Sequence, residues 1–345
     1  MSNRQFSIVL ILVFVSLLAL ANLSNNYAAF DPINLIDSTD STDSTDAFVA
    51  GGSNLTYLDN YRIPIQETSQ INRVFMSLFS NIYLVKYLHT DKFTKKSTTL
   101  SLFYFQSTSA RRPHSSSSLN RPTVLVLPPI VAINPIDYIF CRYLNRKGYN
   151  AILVPFEDNI FDTSISLAKI NKIMINYLLR VKEALDVAPL LPGVNGEQLI
   201  LTGQSMGGVF SALSFNSDLR TKAAVIHVGG GNIPEILTYG PLIFLKNYRE
   251  RQLRELNIDR DQFLELAKKE FTVDPLNNPY QRGPENILMF VDLKDKDVPI
   301  KNQLELWESY KRPQVEYLQN GHIISSITFN FRMKKVVDYL DGLNL

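Results

Sequence analysis

Short apolar runs alternating with helix-length amphipathic stretches constrain this chain more than any other feature. "TTLSLFYF" from Thr98, "TVLVLPP" from Thr123, "NAILVPF" from Asn150, "QLILTG" from Gln198, "AAVIHVGG" from Ala223, "NILMFVDL" from Asn286 and "VEYLQN" from Val315 read as strands. Between them lie helix-like segments: "PIDYIFCRYLNRKG" ending at Gly148, "SISLAKINKIMINYLLRVKEAL", "MGGVFSALSF", "IKNQLELWESYK" and a terminal "FNFRMKKVVDYLDGL". In the second of these, Ile165, Leu167, Ile170, Ile173 and Leu178 fall near one helical face. Apolar runs without polar alternation, such as "TVLVL", suit strands covered on both faces. Strand and helix taking turns predicts an α/β fold with a mostly parallel central sheet and helices on both faces.

The alternation breaks once, between Gly231 and Gly283. That stretch has helical patterning and no clear strand, which predicts a helical lid insertion at about 232–283. Its Ile236, Tyr239, Leu242 and Phe244 would either line an apolar pocket or pack the insertion onto the body. "QSTSARRPHSSSSLNRP", residues 106–122, reads as a long surface loop.

The N-terminal end carries an address. Arg4 precedes the apolar "FSIVLILVFVSLLALA", which closes on the small-x-small Ala19-Leu20-Ala21. Residues 1–21 therefore read as a secretory signal peptide, with an uncleaved membrane anchor as the rival. The expected location is secreted or extracytoplasmic, with membrane association through this segment in the rival case. Asn54-Leu55-Thr56 fits a glycosylation acceptor in a eukaryotic host. Residues 22–60 include the triplet repeat "DSTDSTDSTD" and read as a disordered linker, since they hold too little apolar surface to offset ordering. The domain proper is then 61–345.

With 345 residues, 45% of them hydrophobic, the chain has ample material for a core. A net charge of +2 argues against a nucleic-acid partner. The single cysteine, Cys141, excludes an intramolecular disulfide and a Cys-based zinc site; in "DYIFCRYL" it reads as a small buried residue.

Chemistry concentrates at "LILTGQSMGGVFSAL", where Ser205 stands between a strand and a helix with Gly203, Gly207 and Gly208 around it. A turn this sharp brings the two backbones so close that glycine is the residue that fits, and it lifts the serine hydroxyl above the sheet's carboxyl edge. The helix beginning near Met206 favours negative charge beside that hydroxyl. A serine nucleophile needs a base, and the base an orienting acid. Of four histidines, His114 lies in the serine-rich loop and His89 is read as ending an N-terminal helix. His227 follows a core strand, and His322 follows a strand and a glycine turn, where a flexible loop could deliver an imidazole over Ser205. His322 is the expected base. The acid should come from "MFVDLKDKDVP", which offers Asp292, Asp295 and Asp297.

The order serine, aspartate, histidine on this alternating chain resembles the α/β-hydrolase family, from about Thr98 to the C-terminus. The resemblance implies that fold, a cofactor-free and metal-free Ser-His-Asp mechanism, and the triad Ser205, Asp295 and His322, because the family places its acid where Asp295 precedes Val298-Pro299; Asp292 is the alternative. Most members complete the oxyanion hole from a His-Gly pair after the third strand. Here the segment reads "VLVLPPIVAINPIDY". Proline has no amide hydrogen, so position points to the amides of Ile130 and Met206. The Pro-Pro also resembles the "PP-x-x-N" segment of polyhydroxyalkanoate synthases, with one extra residue; those enzymes normally carry cysteine at the elbow. The expectation is an exported serine hydrolase cleaving small-molecule or lipid-like carboxylic esters through an acyl-enzyme. The alternatives are an acyltransferase or polyester-synthase-like enzyme, or a non-catalytic binding protein on the same fold.

Overall fold

Among the described residues the apolar runs pair into one nine-stranded sheet. The computed structural model describes residues 71–75, 81–90, 97–107, 121–129, 135–156, 164–278 and 280–343. The N-terminal address, the triplet-repeat linker, Asn54, His114 with most of its serine-rich loop, and Ile130 lie outside them. Among the described residues no helix is long and apolar enough to cross a membrane.

Six strands run parallel: β4 (Arg121–Leu127), β5 (Asn150–Leu153), β6 (Val194–Gln204), β7 (Thr221–His227), β8 (Ile287–Asp292) and β9 (Gln314–Leu318). Their side chains alternate between two cores, as the period of a strand requires. Leu125, Leu201, Ile226 and Met289 face one core, against α2 (Leu167–Val187), α3 (Met206–Ser217) and α7 (Ile300–Ser309). Val124, Ile200, Val225 and Phe290 face the other, against α1 (Pro135–Arg146) and α9 (Met333–Gly342). Burial on both faces explains the unbroken apolar runs. Cys141 lies in the second core, and burial pushes its thiol well above the ordinary value.

Three strands at one edge are antiparallel: β1 (Ile71–Phe75), β2 (Ile82–Thr90) and β3 (Ser97–Phe105). This corrects the expectation for His89, which lies in β2 and not at the end of a helix. Val85, Tyr87 and His89 point inward at period two, yet the apolar residues of "IYLVKYLHT" also satisfy a helical spacing. Only the pairing with β3, Ile82 opposite Phe105 through Thr90 opposite Ser97, decides between them.

From β4 the chain steps outward to β5, then returns to place β6 on the other side of β4. The crevice at the carboxyl ends of β4 and β6 is therefore a switch point, where open α/β sheets bind their ligands. Leu127 and Gly203 are register partners at that end.

Between β7 and β8 stand three helices, α4 (Ile233–Tyr239), α5 (Ile243–Leu256) and α6 (Arg260–Glu270), with no strand among the described residues. Asp274 ties both ends of the insertion to one carboxylate, accepting from the amides of Asn232 (3.1 Å), Ile233 (2.6 Å) and Leu276 (2.9 Å). The buried guanidinium of Arg249 on α5 caps α4, donating to the carbonyls of Leu237 and Gly240. Ile236 is buried in the core, and Tyr239 is exposed.

Candidate active site

Gly203 and Gly207 hold the turn after β6 by having no side chain. A Cβ on Gly203 would lie 2.3 Å from the carbonyl oxygen of Gly207, and one on Gly207 would lie 2.1 Å from that of Leu127. Both obstacles are backbone and cannot turn aside. Ser205, at the apex, has φ 53° and ψ −119°, a region that side-chain-bearing residues occupy only when their surroundings impose it. The imposition is visible: the Ser205 amide donates to the carbonyl of His227 at 2.8 Å, and its carbonyl accepts from Val209 at 3.1 Å, opening α3.

His322 comes to Ser205 from 117 residues away. Its Nε2 lies 3.0 Å from the Ser205 Oγ, and its Nδ1 2.7 Å from Asp295 Oδ2. A carboxylate only accepts, so Nδ1 carries the proton and Nε2 is free to accept from the hydroxyl. His322 differs from expectation in one respect. It is the first residue of a short helix, α8 (His322–Ile327), entered through Gly321 at φ 82°, rather than part of a flexible loop.

Asp295 is 4% exposed and fully engaged. Its Oδ1 accepts from the amides of Asp297 and Val298, both at 2.9 Å, and its Oδ2 from Gln303 Nε2 at 3.0 Å. Gln303 also donates to the Val298 carbonyl (2.7 Å) and accepts the Asp292 amide (3.0 Å). Sequence reasoning missed Gln303. The available signal was a polar residue on the apolar face of α7, spaced with Ile300, Leu304 and Trp307.

The other two aspartates do different work. Asp292 accepts from the amides of Lys294, Asn320 and Gly321 and from the Ser325 hydroxyl. Asp297 is half-buried, and burial raises its carboxyl above the usual range, against the attraction of His322 and with the repulsion of Asp295. Met206 begins α3, so its amide is among the first of that helix, which have no intrahelical acceptor. The next residue, Gly207, packs against the backbone of Leu127 and Pro128; Ile130, the other expected donor, lies outside the described residues.

His227 is not brought to the hydroxyl. Its ring is wholly buried, 5.3 Å from Phe290 and 4.9 Å from Phe329 by centroid. Among the described residues neither ring nitrogen has a hydrogen-bond partner. Burial holds its pKa well below the ordinary value, and the nearby charges of Arg332 and His322 add to that. The folded ring is neutral where the unfolded one takes up a proton, so stability is full above about pH 6.5 and is lost as pH falls below it. Urea unfolding between pH 7 and 5 is expected to show a shallower loss for His227→Phe than for the wild type; equal slopes would refute this account.

The sequence matches no family model and no curated protein. In three dimensions the chain is similar to an acetyl xylan esterase from Paenibacillus sp. R4, with a TM-score of 0.58 and 17% identity, covering 89% of this chain and 96% of that one. It is similar also to acetyl xylan esterase 1 from Thermoanaerobacterium sp. JW/SL YS485, with a TM-score of 0.54 and 12% identity over 81% and 98% of the two chains. An acylaminoacyl peptidase from Pyrococcus horikoshii gives 0.50 and 13% over 77% and 48%.

Proposed function

The chain has the α/β-hydrolase fold, and from that premise we propose that it is an exported serine hydrolase of carboxylic esters. The reading rests above all on the continuous hydrogen-bonded line from the Ser205 hydroxyl through His322 to Asp295. Ser205 Oγ attacks the acyl carbon while His322 Nε2 takes its proton, and Asp295 steadies the imidazolium. The tetrahedral oxyanion accepts from the amide of Met206, the first residue of α3, and from that of Ile130, the donor that sequence position points to. His322 then protonates the departing alcohol, and water, activated by the same imidazole, hydrolyses the acyl-enzyme.

The helices α4 to α6 act as a lid in this reading. Gly240, between α4 and α5, sits so close to the acid-bearing loop that a Cβ there would lie 3.1 Å from the Asp297 carbonyl oxygen. Tyr239 and Ile243, both exposed large side chains flanking that glycine, favour an apolar acyl or alcohol group as the partner. The N-terminal apolar run supports export.

A fluorophosphonate probe is expected to label the full chain at Ser205, with p-nitrophenyl acyl esters turned over and labelling blocked in proportion. Peptide mapping that puts the probe on another residue would remove the assignment. Adding a primary alcohol tests the transferase alternative motivated by Pro128-Pro129. Products from water alone would exclude it, and transesterification in preference to hydrolysis would replace the present reading.

A further inference from the structure

We propose that Asp292, acting with Ser325, is a positioning residue that holds the His322 imidazole over Ser205; this rests on the Ser-His-Asp reading above. Asp292 is the last residue of β8 and is wholly buried. Its carboxylate joins the two loops that carry the base and the acid. Oδ1 accepts from the amide of Lys294, at the start of the Asp295 loop, at 2.8 Å. Oδ2 accepts from the amides of Asn320 (3.1 Å) and Gly321 (3.0 Å), the two residues before His322, and from the hydroxyl of Ser325 in the first turn after it. Four donors on two oxygens leave Asp292 no role toward the imidazole itself, although it stands only three residues from Asp295.

The clamp is needed because α8 has only six residues and cannot hold its own first turn in place. His322 enters it through a glycine at φ 82°, a hinge that permits more than one course of the backbone. Behind it, the Ser325 amide donates to the Gly321 carbonyl at 2.9 Å, and Arg332 Nη1 donates to the Ser325 carbonyl at 3.2 Å. Asp292 thus fixes the near end of this hinge to the sheet edge, and Arg332 steadies the far end. The carboxyl stays below its ordinary range despite burial, because the Ser325 hydroxyl and three amides favour the charged form. A displacement of about 1 Å at the imidazole is enough to cost about 100-fold in rate.

Two variants test this in the full chain. Asp292→Asn presents an amide to donors that need an acceptor. It is expected to lower kcat for p-nitrophenyl esters by about 10- to 100-fold with KM nearly unchanged, and to slow fluorophosphonate labelling of Ser205 by the same factor. Ser325→Ala should give a smaller loss of the same kind, and Ser325→Thr, which keeps the hydroxyl, should restore the rate. The assays are run well below each variant's thermal midpoint, so that lost rate reflects geometry. If Asp292→Asn does not fold, the Ser325 pair carries the test. Wild-type kcat in Ser325→Ala, or a loss confined to thermal stability, would overturn the proposal. Ser205→Ala, measured alongside, separates the two readings: if it too retains activity, the triad itself is wrong, whereas its inactivity beside a fully active Ser325→Ala sinks only the clamp.

Discussion

Ser205→Ala is expected to lower kcat for p-nitrophenyl esters by about 10^6-fold while leaving the protein folded. The residue that remains still sits beneath the helix amides, so the surviving rate should exceed that in water through oxyanion stabilisation alone. Stability should not suffer, since the hydroxyl's hydrogen bond is to His322 and the turn is held instead by the Ser205 backbone, through His227 and Val209. Ser205→Gly sharpens the point. At φ 53° a side chain is strained, and the relief is worth about 1 to 3 kcal/mol, offset in part by the greater freedom of an unfolded glycine. That variant should be as inactive as the alanine one and unfold at an equal or higher temperature. Retention of more than about one part in a thousand of wild-type kcat by either variant would defeat the nucleophile assignment.

Gly207→Ala is expected to be severely destabilising. Its Cβ would meet the carbonyl oxygens of Leu127 at 2.1 Å and Pro128 at 2.7 Å. Relief requires the end of β4 and the start of α3 to part, and those two elements form the switch-point crevice. The cost should exceed the roughly 1 to 3 kcal/mol of ordinary overpacking, enough to leave most of the chain unfolded or insoluble on expression. Gly208→Ala is the control. Its nearest neighbours, the Gly203 carbonyl oxygen and Ile226 Cγ2, would lie at 3.3 Å. Alanine in place of glycine in a helix returns about 1 kcal/mol of propensity, so the two effects nearly cancel. Urea midpoints and soluble yields for the pair check this. Similar behaviour of the two variants would mean that the elbow is not held by the absence of the Gly207 side chain.

Much of the sheet was legible in the sequence because its signals are short-ranged. A parallel strand buried on both faces must be apolar throughout, and the runs from Thr123, Asn150, Gln198, Ala223 and Asn286 say so within a few residues each. The elbow was legible for the same reason, since a strand, a tight turn and a helix are adjacent in the chain. The edge was not. Residues 82–90 carry apolar side chains compatible with either period, and only the partner strand 97–105 makes them β. Gln303 was hidden because a polar residue on an apolar helix face announces a buried partner without saying which.

By itself, then, the order of residues determined the alternation of layers, the place of the tight turn and the short set of groups able to do acid–base work. It pointed to His322 as the base, and to Asp295 as the acid only through a family resemblance; the geometry that brings them together lies in the tertiary structure. Asp292, Asp295 and Asp297 lie within six residues and share one chemistry; which of them meets an imidazole depends on the directions their side chains take as the chain leaves β8. His227 and His322 differ likewise, one turned between Phe290 and Phe329 and the other toward a hydroxyl 117 residues earlier. Such choices belong to tertiary structure because hydrogen bonds act over about 3 Å, a range at which neighbours in space count and neighbours in sequence often do not.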